Sequence, residues 1–600
     1  MGRIKGLTGY VSDASILPMP DCPPATGDIS IKLMAEWAFN YLIRSPKPEY
    51  NYQPVFQVFP LRYPSVREGD DPVVNCDTDA RMDWEWYYMR DIVGDSRGAD
   101  IENKFHARMR AYINADGLAI SHGGCYREDL EDAVYSEEDN IIHVWGTTKI
   151  LNSLAEDYLR TQNPERLELA TRIFRGLKKL FIWGDEQGEP WCYAPNGMGP
   201  VDLGGKPSKN SWGTQPDPVV GPLIRFWQAS GDSSALLFAR AAANGIMWGK
   251  LPGGLKFSPD GSFRHGDGHG AEHPTLDGAG KVGHSHATLH AVWGVGELGL
   301  VVGDENYIEF AKRSFDWMLS RGTGTGWFPA MPDNCNETCT VSDMISIAAL
   351  LGRADYSEYF DYAERYFRNY IVNLQFILTD EMREYYRRAH ADRAPDEIEF
   401  QLNLLNRIQG AIIGGSGIND YENNLLGRVS GFCIFGCCAP EGMRAIHTIW
   451  GNTAVMERDG LHVNMAFNVD NSAATVTSLL PLCGGMKVKP KQSGLVHLRV
   501  AHWANKADVL VKCSGDAVSP RWEGDYAVFD AKVGDEITVM WPLITFTHRA
   551  QVWNVSAPDL AVTFEWEGNR AVSVNPSPQS GAISLLTRDI RQDLLPERCE

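Results

Sequence analysis

Val302-Gly303-Asp304-Glu305-Asn306-Tyr307-Ile308-Glu309-Phe310-Ala311-Lys312-Arg313-Ser314-Phe315-Asp316-Trp317-Met318 is a polar turn followed by an amphipathic helix. Asp304 stands where a helix start wants a carboxylate to accept its orphan amides. Ile308, Phe310, Ala311, Phe315 and Met318 recur at helical spacing behind it. The unit repeats at Thr161-Gln162-Asn163-Pro164, Ser230-Gly231-Asp232 and Gly352-Arg353-Ala354-Asp355, each a short polar turn between two helical stretches. Asn163 before Pro164 is a favourable pair for an N-cap and first helical residue. Leu167, Ala170, Ile173, Phe174 and Leu177 form one following stripe, and Phe360, Ala363, Tyr366 and Phe367 another. Helical hairpins of this kind bury little alone, so they stack as a solenoid or close into a toroid. Long irregular insertions at 185–220 and 250–283 would crowd one rim, which favours the closed form. The expected fold is mainly α, an (α/α)6 barrel over 31–445 that follows an irregular lead-in at 1–30.

Upstream, Ile31 to Ile43 carries Leu33, Met34, Trp37, Ala38, Tyr41 and Leu42 at helical spacing, and Arg81 to Ile92 reads as an unusually aromatic helix. That second helix is either packed core or an aromatic wall for a sugar, with Trp84 as the stacking ring and Asp83 or Glu85 beside it. Between 440 and 460 the helical period stops. Short alternating strands take over at Leu461–Phe467, Val496–Val500, Asp508–Lys512, Tyr526–Phe529 and Glu536–Trp541. They read as an all-β sandwich domain at 446–600. No low-complexity linker separates the two parts, so they are expected to pack together. The β region could instead supply a homodimer face, and the sequence leaves the oligomeric state open.

The chain has 600 residues, more than one core normally supports. Its formal charge of −21 argues against a nucleic-acid or anionic-membrane partner. No apolar run is long enough to span a bilayer, and Met1 to Gly6 leads into polar and turn residues, not an apolar signal core. Twelve cysteines without such a signal point to a reducing, cytoplasmic setting and to metal or thiol chemistry.

Two cysteine segments carry that chemistry. One is Gly431-Phe432-Cys433-Ile434-Phe435-Gly436-Cys437-Cys438-Ala439-Pro440, and the other, roughly a hundred residues upstream, is Asn336-Glu337-Thr338-Cys339. Together they offer three thiolates and a carboxylate, a tetrahedral donor set for Zn²⁺, or else two buried cysteine clusters. Six of the fifteen histidines fall between Arg264 and His290. His286 and His290 are spaced for one helix face, and the cluster reads as a polar pocket lining or a second metal site.

Glu-Thr-Cys followed by Cys-Cys-Ala-Pro resembles glycoside hydrolase family 127, the β-L-arabinofuranosidase group. Gly283-His284, then a helix, Gly303-Asp304 and a second helix ending near Met318 carry the likeness further. It extends over 280–545, and over the earlier residues by helical layout only. The resemblance implies a Zn²⁺ held by Glu337, Cys339, Cys437 and Cys438, with Cys437 as the nucleophile of a retaining exo-glycosidase acting on a terminal furanoside. It matches His284 to a sugar-binding position and, less closely, His143. His286 and Trp327 join these as candidate substrate contacts. Where the family places its acid/base Glu, the loop 321–336 is shorter and has Asp333 as its only acid. Asp333 takes the role, another carboxylate or a histidine supplies it, or the catalytic set is incomplete. Ala330, after Trp-Phe-Pro, marks a place where an acid is missing, either in the natural chain or by an inactivating substitution. Other readings are an (α/α)6-barrel hydrolase or lyase on acidic or unsaturated sugars with a structural zinc, and a catalytically silent carbohydrate binder.

Overall fold

The computed structural model describes residues 7, 9–20, 28–48, 51–54, 58–65, 76–122, 140–196, 200–206, 218–250, 256–264, 285–330, 336–419, 433–434, 436–551 and 561–577. The turn chemistry expected from sequence is in place. Asn163 Oδ1 accepts from Glu165 N at 3.0 Å, Asp232 Oδ1 from Ser234 N at 2.9 Å, and Asp304 Oδ1 from Asn306 N at 3.0 Å. The residue before two of these caps is glycine in the left-handed region, Gly231 at φ 70° and Gly303 at φ 68°, which ends the preceding helix without a Cβ penalty.

Six helices form the inner ring: Cys76–Val93, Val144–Thr161, Val220–Ser230, Ser285–Val302, Thr338–Arg353 and Cys438–Thr453. Each packs on the next, and Cys438–Thr453 packs back on Cys76–Val93, which closes the circle. Outside them lie Ala99–Ala111, Pro164–Leu180, Ser233–Met247, Glu305–Leu319, Tyr359–Tyr366 and Ile31–Arg44. The toroid is therefore an (α/α)6 barrel. Because every outer helix carries the chain back, the inner helices run the same way and gather their N-termini at one end.

The expected boundaries need three corrections. The helix beginning at Cys438 runs through to Thr453, so the barrel does not stop at 445. The lead-in is not wholly irregular, because Tyr10–Ile16 is a strand paired antiparallel with Ile544–Gln551. With Ala561–Glu567 and Arg570–Asn575 it makes a four-stranded sheet. Phe546, Phe564 and Trp566 of that sheet belong to the helical core, so 446–600 is not one sandwich. The sandwich proper is a five-stranded and a six-stranded sheet. Leu461, Val463, Val496 and Leu498 from one face Val488, Ile537, Val539 and Trp541 from the other. The insertion at 185–220 also holds a hairpin, Ile182–Glu186 with Glu189–Tyr193.

Barrel and β region pack together through buried charge. Arg499 Nη2 donates to Asp361 Oδ1 at 2.9 Å, and Arg365 Nε donates to Asn569 Oδ1 at 2.9 Å. Inner and outer helices are joined the same way at Asp83, one of the two acids weighed for a sugar wall. It is spent on structure: His106 Nδ1 lies 2.5 Å from Asp83 Oδ1, and Ser153 Oγ donates to its other oxygen.

Burial disfavours a charged His106, yet the Asp83 carboxylate more than compensates and raises it to about 9. An unfolded histidine titrates near ~6.5, so the folded value is the higher one. The stabilisation is therefore complete below about pH 6.5 and lost as pH rises through about 9. Urea unfolding should show about 2–3 kcal/mol more loss between those pH values in the wild type than in His106→Phe.

Candidate functional site

Cys339 lies in the first turn of Thr338–Arg353, and Cys438 opens the neighbouring Cys438–Thr453 helix with Cys437 as its N-cap. A chain of hydrogen bonds aligns the two helix starts. Thr338 N donates to Gly414 O at 2.8 Å, and Gly414 N donates to Cys433 O at 2.6 Å. Gly442 lets Cys438–Thr453 approach the 411–414 segment, since a Cβ there would meet Ile412 Cγ2 at 2.5 Å.

The three thiols converge as the sequence suggested. Cys339 Sγ is 3.2 Å from Cys438 Sγ, Cys437 Sγ is 3.6 Å from Cys438 Sγ, and all three lie within 4.8 Å of one another. Tetrahedral zinc with bonds of about 2.3 Å sets its sulfurs about 3.8 Å apart, so this cluster fits such an ion with slight expansion. Glu337 is the N-cap residue of the Cys339 helix, and its charge acts on Cys438. Its carboxylate is not one of the atoms inside the 4.8 Å group.

The thiols are not equivalent. Cys339 and Cys438 are fully buried, and burial pushes both up. Cys437 is half-buried. Hydrogen bonds from Cys339 and Cys438, with the charge of Arg81 behind them, hold it well below the ordinary thiol range. The helix N-terminus on which it sits favours the thiolate further. The accessible sulfur is thus the one whose thiolate form is favoured.

Beneath the cysteines the ring encloses a charged interior. Arg81 Nη1 donates to His286 Nε2 at 2.8 Å, which leaves the proton on Nδ1 to donate to Asp343 Oδ2 at 2.6 Å. His290 Nδ1 lies 3.0 Å from Asp343 Oδ1, and burial lowers His290 to about 4, so it stays neutral. Arg444 donates to Asp343 Oδ1 at 2.7 Å, Glu441 Oε2 at 2.6 Å and Ser346 Oγ at 2.5 Å. Burial would raise Glu441, but Arg444 and Lys149 hold it well below the carboxylate range. Glu85 goes the other way: burial, and then the Glu441 charge, push it well above that range. The interior therefore pushes Glu85 and Glu441 in opposite directions, the kind of divergence that separates acids from bases. Trp145 lies under Arg81, 4.2 Å from ring centroid to guanidinium carbon.

The proposed contacts fare unevenly. His286 is fully buried with both ring nitrogens engaged, so it orients Arg81 and does not meet a sugar. His143 caps Val144–Thr161, its Nδ1 accepting from Gly146 N at 3.1 Å, at the end of the barrel where the cysteines gather. Trp84 lines an internal cavity with Lys149, His290 and Trp293, and its indole N–H donates to Glu85 Oε1 at 2.6 Å. Trp327 corrects an expectation. It is 1% exposed, with its indole N–H donating to Ser416 O, so it is core and not a stacking platform. Ala330 is wholly buried and its carbonyl accepts from Ser285 N at 3.0 Å. Asp333 and His284 lie outside the described residues.

Arg81, Lys149, Asp343, Glu441 and Arg444 were not singled out from sequence. Only Asp343 carried a signal, as the one charge in the otherwise uncharged run Thr338–Gly352.

No protein-family model matches the chain. No curated protein sequence matches it either. Solved structures do. A GH127 β-L-arabinofuranosidase from Geobacillus stearothermophilus T6 superposes with TM-score 0.59 at 13% identity, covering 91% of this chain and 86% of that one. A second GH127 β-arabinofuranosidase gives TM-score 0.54 at 14% identity, over 93% of this chain and 85% of that one. A structure described as a glycoside hydrolase gives 0.55 at 12% identity, over 93% and 83%. Over nine-tenths of its length, then, this chain has the GH127-like fold, an (α/α)6 barrel with a β-rich C-terminal region.

Proposed function

We propose that the protein is a retaining exo-glycosidase with a cysteine nucleophile, acting on a terminal furanoside such as a β-L-arabinofuranoside. One observation carries this reading: three thiols from two adjacent inner-helix starts meet at one end of the barrel, and Cys437 is the one of them that is not fully buried. The shared fold with GH127 enzymes supports it.

Cys339, Cys437 and Cys438, with Glu337 beside them, would hold Zn²⁺, which when bound keeps the sulfurs deprotonated at neutral pH. Cys437 Sγ attacks the anomeric carbon and the glycosidic C–O bond breaks, giving a thioglycosyl enzyme. A carboxylic acid gives its proton to the leaving oxygen. The resulting carboxylate then takes a proton from water as that water displaces sulfur, with net retention. We assign this acid to Asp333. The cation of Arg81, fixed by His286 and Trp145, stabilises the departing thiolate of the second step. The substrate is a small saccharide or glycoside, and among the described residues no helix is long and apolar enough to cross a membrane.

A panel of aryl glycosides tests the reading. Turnover should be confined to furanosides with β-L-arabinofuranoside the best, and should give a product of retained configuration. Asp333→Asn should slow poor leaving groups about 10²-fold or more and activated aryl groups much less. Inversion of configuration, or no turnover of any furanoside by the zinc-loaded chain, would overturn the proposal.

A further inference from the structure

We propose that the β-sandwich carries a separate divalent-metal site, formed by His462, His497 and Asp459 and suited to Zn²⁺ or Co²⁺. It is independent of the cysteine cluster and of the glycosidase reading.

The strands Gly460–Val463 and Gly494–Arg499 are parallel neighbours, and their register sets His462 directly beside His497. Leu461, Val463, Val496 and Leu498 point into the sandwich core, so by alternation both imidazoles stand on the opposite face of the sheet. That face would ordinarily be open to water. Here the end of the barrel lies over it, and a cavity between them is lined by Gly352, Arg353, His462 and His497. The two rings stack with centroids 4.1 Å apart and planes 8° from parallel. Asp459, in the turn before the first strand, reaches both: Oδ1 lies 3.0 Å from His462 Nε2 and Oδ2 lies 3.7 Å from His497 Nε2.

Two observations point to an ion, not to packing alone. His497 is 3% exposed, and its Nε2 has no hydrogen-bond partner among the described residues. A buried ring nitrogen left so is costly, and a metal would satisfy it. The three side chains also bring one ligand atom each within 4.8 Å of one another, with Asp459 offering Oδ1 to one ring and Oδ2 to the other. Ligand atoms about 2.0–2.1 Å from tetrahedral zinc stand about 3.3 Å apart, so an ion is bound by drawing these atoms together and turning one ring out of the stack to aim its lone pair. Glu523 Oε2, 3.9 Å from His497 Nδ1, is placed to orient the ring from its far side. Two imidazoles and a carboxylate select a borderline transition ion over Ca²⁺ or Mg²⁺. Asp459 is exposed, so the site opens to solvent and has room for a water as a further ligand.

Co²⁺ titration of the metal-stripped full-length chain tests this, because thiolate-bound and imidazole-bound cobalt differ in their spectra. Wild-type protein should bind one Co²⁺ whose visible bands lack a thiolate charge-transfer component. His462→Asn/His497→Asn should lose that ion while any thiolate band from the cysteine cluster persists. Asp459→Asn, an exposed turn substitution that leaves the sheet intact, should weaken the same ion at least about tenfold. Unchanged stoichiometry and affinity in these variants would overturn the proposal, and if the double variant fails to fold, Asp459→Asn alone decides. A missing thiolate band would count against the cysteine centre and leave this site untouched.

Discussion

Serine in place of Cys437 will lower kcat/KM on an activated aryl furanoside by about 10⁴-fold or more. The change removes one sulfur and leaves the backbone and its neighbours in place. It is severe because a hydroxyl stays protonated where Cys339, Cys438 and Arg81 hold the Cys437 thiol well below the ordinary thiol range. No other sulfur of the cluster can substitute, since Cys339 and Cys438 are fully buried. Steady-state kinetics with wild-type and variant protein would measure the loss. Intact mass after rapid quench should show one glycosyl increment on the wild type and none on Cys437→Ser. A variant within about tenfold of wild type would remove Cys437 from the reaction and leave the thiols a structural role.

Arg444→Ala should be the most destabilising single substitution in the barrel interior, by about 3–5 kcal/mol. Arg444 joins two inner helices through Glu441, Asp343 and Ser346, all essentially buried. Truncation strands two carboxylates where water cannot reach them, and the cost is that of uncompensated charge. Arg353 provides the contrast. It is half exposed and 3.5 Å from Glu457, so Arg353→Ala should change stability by about 1 kcal/mol or less. Urea midpoints for the two variants would separate the cases, and equal midpoints would mean that the interior network contributes little.

What the sequence revealed, and what it hid, follows from the range of the forces involved. The caps at Asn163, Asp232 and Asp304 were legible because a carboxyl or amide side chain and the amide it binds are two residues apart. The strands from Leu461 onward were legible because one face of each is buried, which imposes alternation. Tyr10–Ile16 was not, since this edge strand is largely exposed on both faces and carries no alternating pattern. Ring closure was inferred from long insertions but rests on Cys438–Thr453 meeting Cys76–Val93, a contact with no local signature. The same holds for the charged interior. Arg81, Lys149 and Glu441 read one helix at a time as solvated positions, and only the closed ring makes them face each other. Trp327 misled for a related reason. It was named a candidate sugar contact, yet its glycine-rich loop folds inward, with Gly326 against Tyr366 and Tyr370.

The pairing of Tyr10–Ile16 with Ile544–Gln551 has a consequence for biosynthesis. Ser15 and Thr545, whose hydroxyls meet at 2.6 Å, are 530 residues apart. At typical translation speeds the opening segment leaves the ribosome roughly half a minute to two minutes before its partner exists. During that interval it is an unpaired β-edge tethered to a growing helical toroid, and holdase chaperones that favour extended peptides would find it there.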